Sequence, residues 1–331
     1  MKSLLDKFKK KVYMFFSREL HNKIDKLLML ESQILSRENL KIFTQNRNWG
    51  GQNSLNTNNL ESPPILNKSQ HLSLESFEFS VSSQNGEDGI IDFLIEILEL
   101  ENSDFPKAFI EFGVQNYTES NTRYLLKKRN FKGLVIDGSD ENIDFIKNDE
   151  IYWRFDLCAK CAFITRENID SIIKEWLDST LISNVAILSI DIDGVDYFVW
   201  EAIECVNPAI VIVEYNALLG SKEAKSVPYS ADFERFSKDY SGLYFGASIK
   251  ALVNLGKRKG FTFIGADSSG TNLFFVHNAL VWKVDFLHVY AFEEYCKRHN
   301  VRQSRDKNGN LNFMRGDLRI SHLKDKDFVK C

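Results

Sequence analysis

Two apolar runs in the middle of the chain end in acidic residues. "AILSIDIDGVDY" (186–197) leads into Asp191, Asp193 and Asp196, and "AIVIVEYN" (209–216) leads into Glu214 and Asn216. Hard oxygen donors at two neighbouring strand ends suit Mg²⁺ or Mn²⁺, with Asp191, Asp193, Glu214 and Asn216 as candidate ligands. A metal there would lower the pKa of a hydroxyl, and Asp191, Asp193 or Glu214 could take its proton as general base. The same carboxylates could instead cap the following helix and bond neighbouring amides. The local D-x-D-G also fits the nucleophile of a haloacid-dehalogenase-type phosphatase or the metal site of a nucleotide-sugar glycosyltransferase. The phosphatase motif normally opens its domain, however, and about a hundred residues of α/β pattern precede this one.

The other strand ends narrow the choice. "KAFIEF" (107–112) runs into "GVQNYTESNT", a polar loop that opens a helix and places backbone amides where a ligand could meet them. Glu111, Gly113, Gln115, Asn116 and Asn121 are the candidate contacts. With only one glycine, this is not the G-x-G-x-x-G of a dinucleotide pyrophosphate site. The departure weighs less against a ligand without phosphates. "KGLVID" (132–137) ends in Asp137, Gly138 and Ser139, and a carboxylate there can accept from both hydroxyls of a ribose. "YWRFD" (152–156) reads as a third strand ending in Asp156, which could accept from an adenine amino group. In this order and at this spacing, the three ends describe an adenosine-type pocket. A glycosyltransferase would leave Glu111 and Asp137 without a task.

These residues need a scaffold. Strand-like runs alternate with helical segments such as "SNTRYLLKKRN" and "RENIDSIIKEWLDS", which argues a parallel sheet with both faces covered. After the fifth strand and the helix "ASIKALVNLGKRKG", the runs "FTFIG" and "NLFFV" flank the turn-rich "ADSSGT" and read as an antiparallel hairpin. The expected fold is α/β: a Rossmann-like seven-stranded sheet of five crossover strands and a closing hairpin. Upstream, Gln84, Asn85, Glu87 and Asp88 start an amphipathic helix, where acidic residues favour the helix dipole, or they lid the pocket. His277 reads first as a hairpin-end residue.

The remaining segments divide the chain. Residues 1–45 read as an amphipathic helical extension, 46–76 as a polar linker, 77–281 as the α/β domain, and 282–331 as a C-terminal extension of mixed character. The extension's apolar stripe (Leu20, Ile24, Leu27, Ile34) suits packing on its own domain or a homodimer. Lys2, Lys7, Lys9, Lys10 and Lys11 beside Phe15 and Phe16 suit peripheral contact with an anionic membrane. A net charge of −4 excludes the basic footprint of a nucleic-acid binder. Five scattered cysteines in a chain that opens without a secretory signal point to a reducing compartment, hence a cytoplasmic and at most membrane-peripheral protein.

The series "SQNGEDGI", "FIEFGVQNYTESNTRYLL", "GLVIDGSDENI", "LSIDIDGVDYFVWEAI" and "IVIVEYN" resembles the FkbM-like branch of S-adenosylmethionine-dependent methyltransferases over about residues 80 to 278. The family typically has Glu where this chain has Asp193. The resemblance implies methyl transfer to a hydroxyl, often on a sugar, glycan or polyketide. It implies Glu111, Gly113 and Asp137 as cofactor contacts, and Asp191 with Asp193 as active-site residues. A role in cell-surface polysaccharide synthesis follows as an expectation. A scaffold with a degenerate cofactor site is the non-enzymatic alternative, suggested by the glycine-poor first loop. Tyr229, Tyr240, Tyr244 and Phe245, in the segment after the fifth strand, are candidates for an aromatic acceptor wall.

Overall fold

The computed structural model describes residue 24, residues 27–38, residue 41, and residues 72–298 and 303–331. The basic cluster and most of the polar linker lie outside these.

A seven-stranded sheet forms the centre, in the order β3-β2-β1-β4-β5-β8-β7. Its first five strands are β1 (Ala108–Phe112), β2 (Lys132–Asp137), β3 (Leu157–Cys161), β4 (Ile187–Ile190) and β5 (Ile210–Glu214). They pair in parallel. The hairpin β7 (Phe261–Ala266) and β8 (Asn272–His277) closes the sheet, with β8 antiparallel to both β5 and β7. The expected α/β architecture of five crossover strands and a closing hairpin is the one observed.

Strands such as AFIEF and IVIVE are buried at every position, because helices cover both faces. One face packs Ile110, Leu134, Leu188, Val211 and Phe275 against the helices Ile169–Thr180, Asp196–Ala202 and Ile249–Arg258. The other packs Phe109, Val135, Ile187, Ile212 and Phe274 against the helices Glu87–Ile97, Arg123–Arg129 and Asp140–Asn148. The alternation within each strand is the period of two that sends successive side chains to opposite faces.

The third strand departs from the sequence expectation. "YWRFD" is mostly helix, Glu150–Arg154, capped by Asp149, whose side chain accepts from the Ile151 amide. The strand is the next segment, "LCAKC". Aromatic residues gave 152–156 a strand-like look, but the cap at Asp149 and the burial of Ile151 against the domain favour one helical turn.

Residues 27–38 are helical, and Ser32, fully buried, receives the Tyr124 hydroxyl at 3.0 Å. This helix therefore touches its own domain on one side, while Leu27, Leu30 and Ile34 stay exposed. The C-terminal residues fold back on the segment that follows β5. Strand β9 (Val329–Lys330) pairs with β6 (Lys225–Ser226), and Tyr295 packs edge-on against Phe263. No helix among the described residues is long and apolar enough to cross a membrane.

Candidate active site at the carboxyl edge of the sheet

Strand order reverses between β1 and β4, so the crevice above their carboxyl ends is where an open α/β sheet binds its ligand. Three adjoining clefts occupy that edge, and Gly113, Gln115 and Asp191 line all three.

The loop after β1 is built around Glu111. Its carboxylate, buried at the strand end, accepts from the amides of Asn121 (2.8 Å) and Thr122 (3.1 Å) and from the Thr122 hydroxyl (2.5 Å). Glu111 thus folds residues 113–122 over the sheet. Gly113 has φ +69°, and a Cβ there would lie 1.6 Å from the Asp191 carbonyl oxygen. Only glycine lets the β1 loop approach the end of β4 this closely. Gln115 (φ 48°) and Tyr117 (φ 61°) also adopt the left-handed conformation. The alternate positions 113, 115 and 117 therefore carry the conformation a glycine-rich loop would have, with side chains at two of them. Tyr117 is held there by complete burial and by its hydroxyl, 2.9 Å from that of Thr122.

Asp137, at the end of β2, accepts from the Gln115 amide (2.7 Å), the Ser139 amide (2.9 Å) and the Asn142 side chain (2.9 Å). A carboxylate offers about four lone-pair positions, so one remains for a ligand hydroxyl. Beyond it, a cleft of about 260 Å³ is walled by Ile136, Gly138, Phe163, Ile164, Val195 and Phe233. Phe163, Ile164 and Phe233 come from loops, where no local sequence pattern marks a residue for the site. Ser139 caps the next helix through the Asn142 amide. Asn116 bonds within its own turn, accepting from Thr118. Asn121 reaches from this loop to the Ser189 hydroxyl on β4, at 3.1 Å.

Asp156 lies elsewhere. It precedes β3, at the edge of the sheet away from the clefts, exposed and paired with Lys132 at 3.1 Å. The expectation that it meets an adenine is corrected, because the strand it was thought to end begins after it. His277 sits at that far edge too, beside Asn207. Its strand runs antiparallel, so its last residue points away from the site.

The three aspartates of "DIDGVD" divide the work. Asp196, fully buried, accepts from the amides of Ile192 (2.8 Å) and Gly194 (3.1 Å) and holds the turn. Burial raises it to about 6 against the lowering effect of those amides. Asp193, in the left-handed conformation that Asp tolerates, turns outward and pairs with Arg235. Asp191 points into the clefts, where the carboxylate of Glu214 at the end of β5 meets it. Burial raises both acids well above the usual carboxylate range; Asp193 and Asp196 raise Asp191 further, and Asp191 raises Glu214 further. Glu214 Oε2 is buried with no hydrogen-bond partner.

Asn216 has no group to spare. Its amide donates to the carbonyls of Leu243 and Phe245, each at 3.0 Å, and its oxygen accepts from the Leu218 amide. It fastens the segment after β5 at the wall of the second cleft. That segment contributes Arg235, whose guanidinium lies 3.7 Å over the Phe245 ring and bonds the Gly242 carbonyl. Of the four aromatic candidates, Phe245 lines the second cleft. Tyr244 instead bonds the Asp327 carbonyl, Tyr240 packs on His322, and Tyr229 pairs with Glu167 under Arg166.

The second cleft, about 220 Å³, lies over Asp191 and Glu214 and is rich in polar groups, including Ser269, Thr271, Gln303 and Arg319. The last two come from the C-terminal extension, whose part in the site no local sequence signal announced. The third cleft, about 170 Å³, is acidic, with Glu87, Glu111, Glu119 and Asp191 on its walls. Its roof is the turn before the first domain helix. There Asp88 accepts from the amides of Val81 (2.7 Å), Ser82 (2.6 Å) and Ser83 (2.9 Å).

The fold and site thus define a Rossmann-like α/β protein with an elongated, three-part cleft at its switch point. No family model matches the sequence, and no curated protein does. Among solved structures, the chain is similar to the N-terminal domain of EvdMO1 with SAH bound, at 10% identity over 59% of this chain and 82% of that one, TM-score 0.38. It is similar to the plantazolicin methyltransferase BamL in complex with a triazolic desmethylPZN analog and SAH, at 11% identity over 58% and 85%, TM-score 0.36. A third is an S-adenosylmethionine-dependent methyltransferase from Clostridium acetobutylicum, at 11% identity over 56% and 89%, TM-score 0.34. The residue roles given above come from this chain's own geometry.

Proposed function

We propose that the protein is an S-adenosylmethionine-dependent O-methyltransferase acting on a hydroxyl of a sugar or glycan. One observation carries the reading: an apolar slot, an acidic compartment and a polar cleft meet at Gly113, Gln115 and Asp191. Two of these compartments match parts of the cofactor, and the polar cleft is left for the acceptor. The slot beyond Asp137 suits an adenine, with Phe163 and Phe233 against its faces and the free position of Asp137 for a ribose hydroxyl. The acidic compartment under Glu87 and Glu119 suits the ammonium group of the methionine tail. The cofactor would supply the electrophilic methyl group, and the residues shared by all three clefts are where that methyl has to face an acceptor.

Asp191 and Glu214 then have a chemical role. Two adjoining carboxylates whose pKa values are raised by burial and by neighbouring acids keep one proton between them, leaving an ionised partner able to take a hydroxyl proton. Arg235, bound to Asp193, holds the wall between the slot and the acceptor cleft in place. The cleft's hydroxyl, amide and guanidinium groups suit a polyhydroxylated acceptor better than an apolar one. A polysaccharide role and a cytoplasmic, membrane-peripheral location fit such an acceptor and the basic N-terminus. The exposed stripe of Leu27, Leu30 and Ile34 is the surface we assign to self-association or membrane contact.

The test is calorimetric titration with S-adenosylhomocysteine. Binding with a dissociation constant of order micromolar is expected, about −8 kcal/mol. Absence of binding up to about millimolar ligand would remove the methyltransferase reading.

A further inference from the structure

We propose that Asp191 and Glu214 hold a divalent, oxygen-preferring cation, Mg²⁺ or Mn²⁺, at the floor of the acceptor cleft, with Asp196 as a third carboxylate behind them. One oxygen from each of these three residues lies within 4.8 Å of the others. Oxygen donors about 2.1 Å from a six-coordinate ion stand roughly 3 Å apart when adjacent and about 4.2 Å apart when opposite, so the three oxygens are grouped on the right scale.

The grouping alone would mean little, but Glu214 adds an independent sign. Its side chain is only 8% exposed, it faces the cleft, and its Oε2 has no hydrogen-bond donor. Donors are plentiful along this edge of the sheet. Glu111, Asp137 and Asp196 each accept from at least two neighbouring N–H groups. Arg235, which lines the same cleft, is engaged with Asp193, the Gly242 carbonyl and the Phe245 ring. A buried carboxylate oxygen left without a donor in a fold that supplies donors to the neighbouring acids is what a cation ligand requires before the cation arrives.

A cation here would keep open positions toward the cleft, because the protein supplies carboxylates from one side only. Those positions suit an acceptor that presents two adjacent oxygens, a vicinal diol or a hydroxy acid. This acceptor class rests on the methyltransferase reading; the cation site rests on the geometry alone.

Full-length protein, stripped with EDTA, would be titrated with MnCl₂ at mildly alkaline pH, where protons compete less for the carboxylates. The electron paramagnetic resonance signal of free aqueous Mn²⁺ reports the unbound ion. One Mn²⁺ per chain is expected. Asp191→Asn and Glu214→Gln should each weaken binding at least about tenfold, and Asp193→Asn by no more than about threefold. Asp191→Asn and Glu214→Gln each remove a carboxyl group whose ionised form burial disfavours, so the apoproteins should melt at or above the wild-type temperature. Weak binding in them would then not reflect misfolding. No binding by the wild type would overturn the site and leave Asp191 and Glu214 sharing a proton. Undiminished binding in both variants would place the ion elsewhere and also overturn it. Titration with S-adenosylhomocysteine in the same samples separates the two readings: Mn²⁺ binding without it would keep the cation site and remove the methyltransferase.

Discussion

The two halves of the cleft edge use the same residue type in opposite ways. On the β1–β2 side, Glu111 and Asp137 each accept three hydrogen bonds from the loops after β1 and β2. On the β4–β5 side, Asp191 and Glu214 face each other, and an oxygen of Glu214 is buried without any donor. The pair rich in donors is structural: each carboxylate fixes the backbone of a loop. The unsaturated pair holds electrostatic stress, because burial and the neighbouring carboxylates disfavour its ionisation. A protein retains such stress where a proton or a cation is to be handled. The acid nearest in sequence, Asp193, belongs to neither group, since its pairing with Arg235 makes it part of a wall.

Four substitutions would break or sharpen this contrast. The largest effect is expected at Asp191. Asp191→Asn should lower methyl transfer about 10²- to 10⁴-fold, in the range of a lost general base, with S-adenosylhomocysteine affinity nearly unchanged. Asp193→Asn should lose much less. Steady-state rates with calorimetry on the same samples decide, and equal losses at the two positions would dissolve the distinction between reacting pair and wall.

Gly113→Ala comes next, because it strikes where the halves meet. The added methyl would collide with the Asp191 carbonyl oxygen, and the positive φ disfavours any side chain. A loss of about 3 kcal/mol or more in a denaturant melt is expected. A loss below about 1 kcal/mol would mean that the β1 loop can move away from β4 at little cost.

The smallest effect has the opposite sign. Gln115 carries a side chain in the left-handed region. Gln115→Gly should raise stability by about 0.5–1 kcal/mol by relieving that strain, less the extra chain entropy of glycine. A clear destabilisation would show that the Gln115 side chain holds the cofactor half together by contacts beyond its amide bond to Asp137.

Much of the architecture is legible along the chain. Runs such as "KGLVID" and "AIVIVE" are strands because uninterrupted apolar residues of this length suit a sheet covered on both faces, and β2 and β5 fall on them. "YWRFD" misled because a short aromatic run is compatible with strand or helix, and the choice fell to an N-cap and to the burial of Ile151. Glycine content misled in the β1 loop as well. The sequence shows one glycine, whereas the backbone adopts left-handed geometry at Gln115 and Tyr117 too, held there by the Asp137 carboxylate and by burial of the Tyr117 ring.

By itself, the sequence determined the α/β class, the order of the strands along the chain and the acidic character of the strand ends, because these follow from local periodicity and residue type. Only the tertiary structure decided what each acid does. Asp191, Asp193 and Asp196 lie within six residues, yet one faces a cleft, one an arginine and one its own backbone. The groups that set those roles, Glu214, Arg235 and the amides of the 192–194 turn, come from different segments or depend on a folded loop. Arg319 and Gln303 reach the acceptor cleft from the far end of the chain for the same reason. Charge and hydrogen bonding act across a few ångströms of space, and separation along the sequence does not specify that distance.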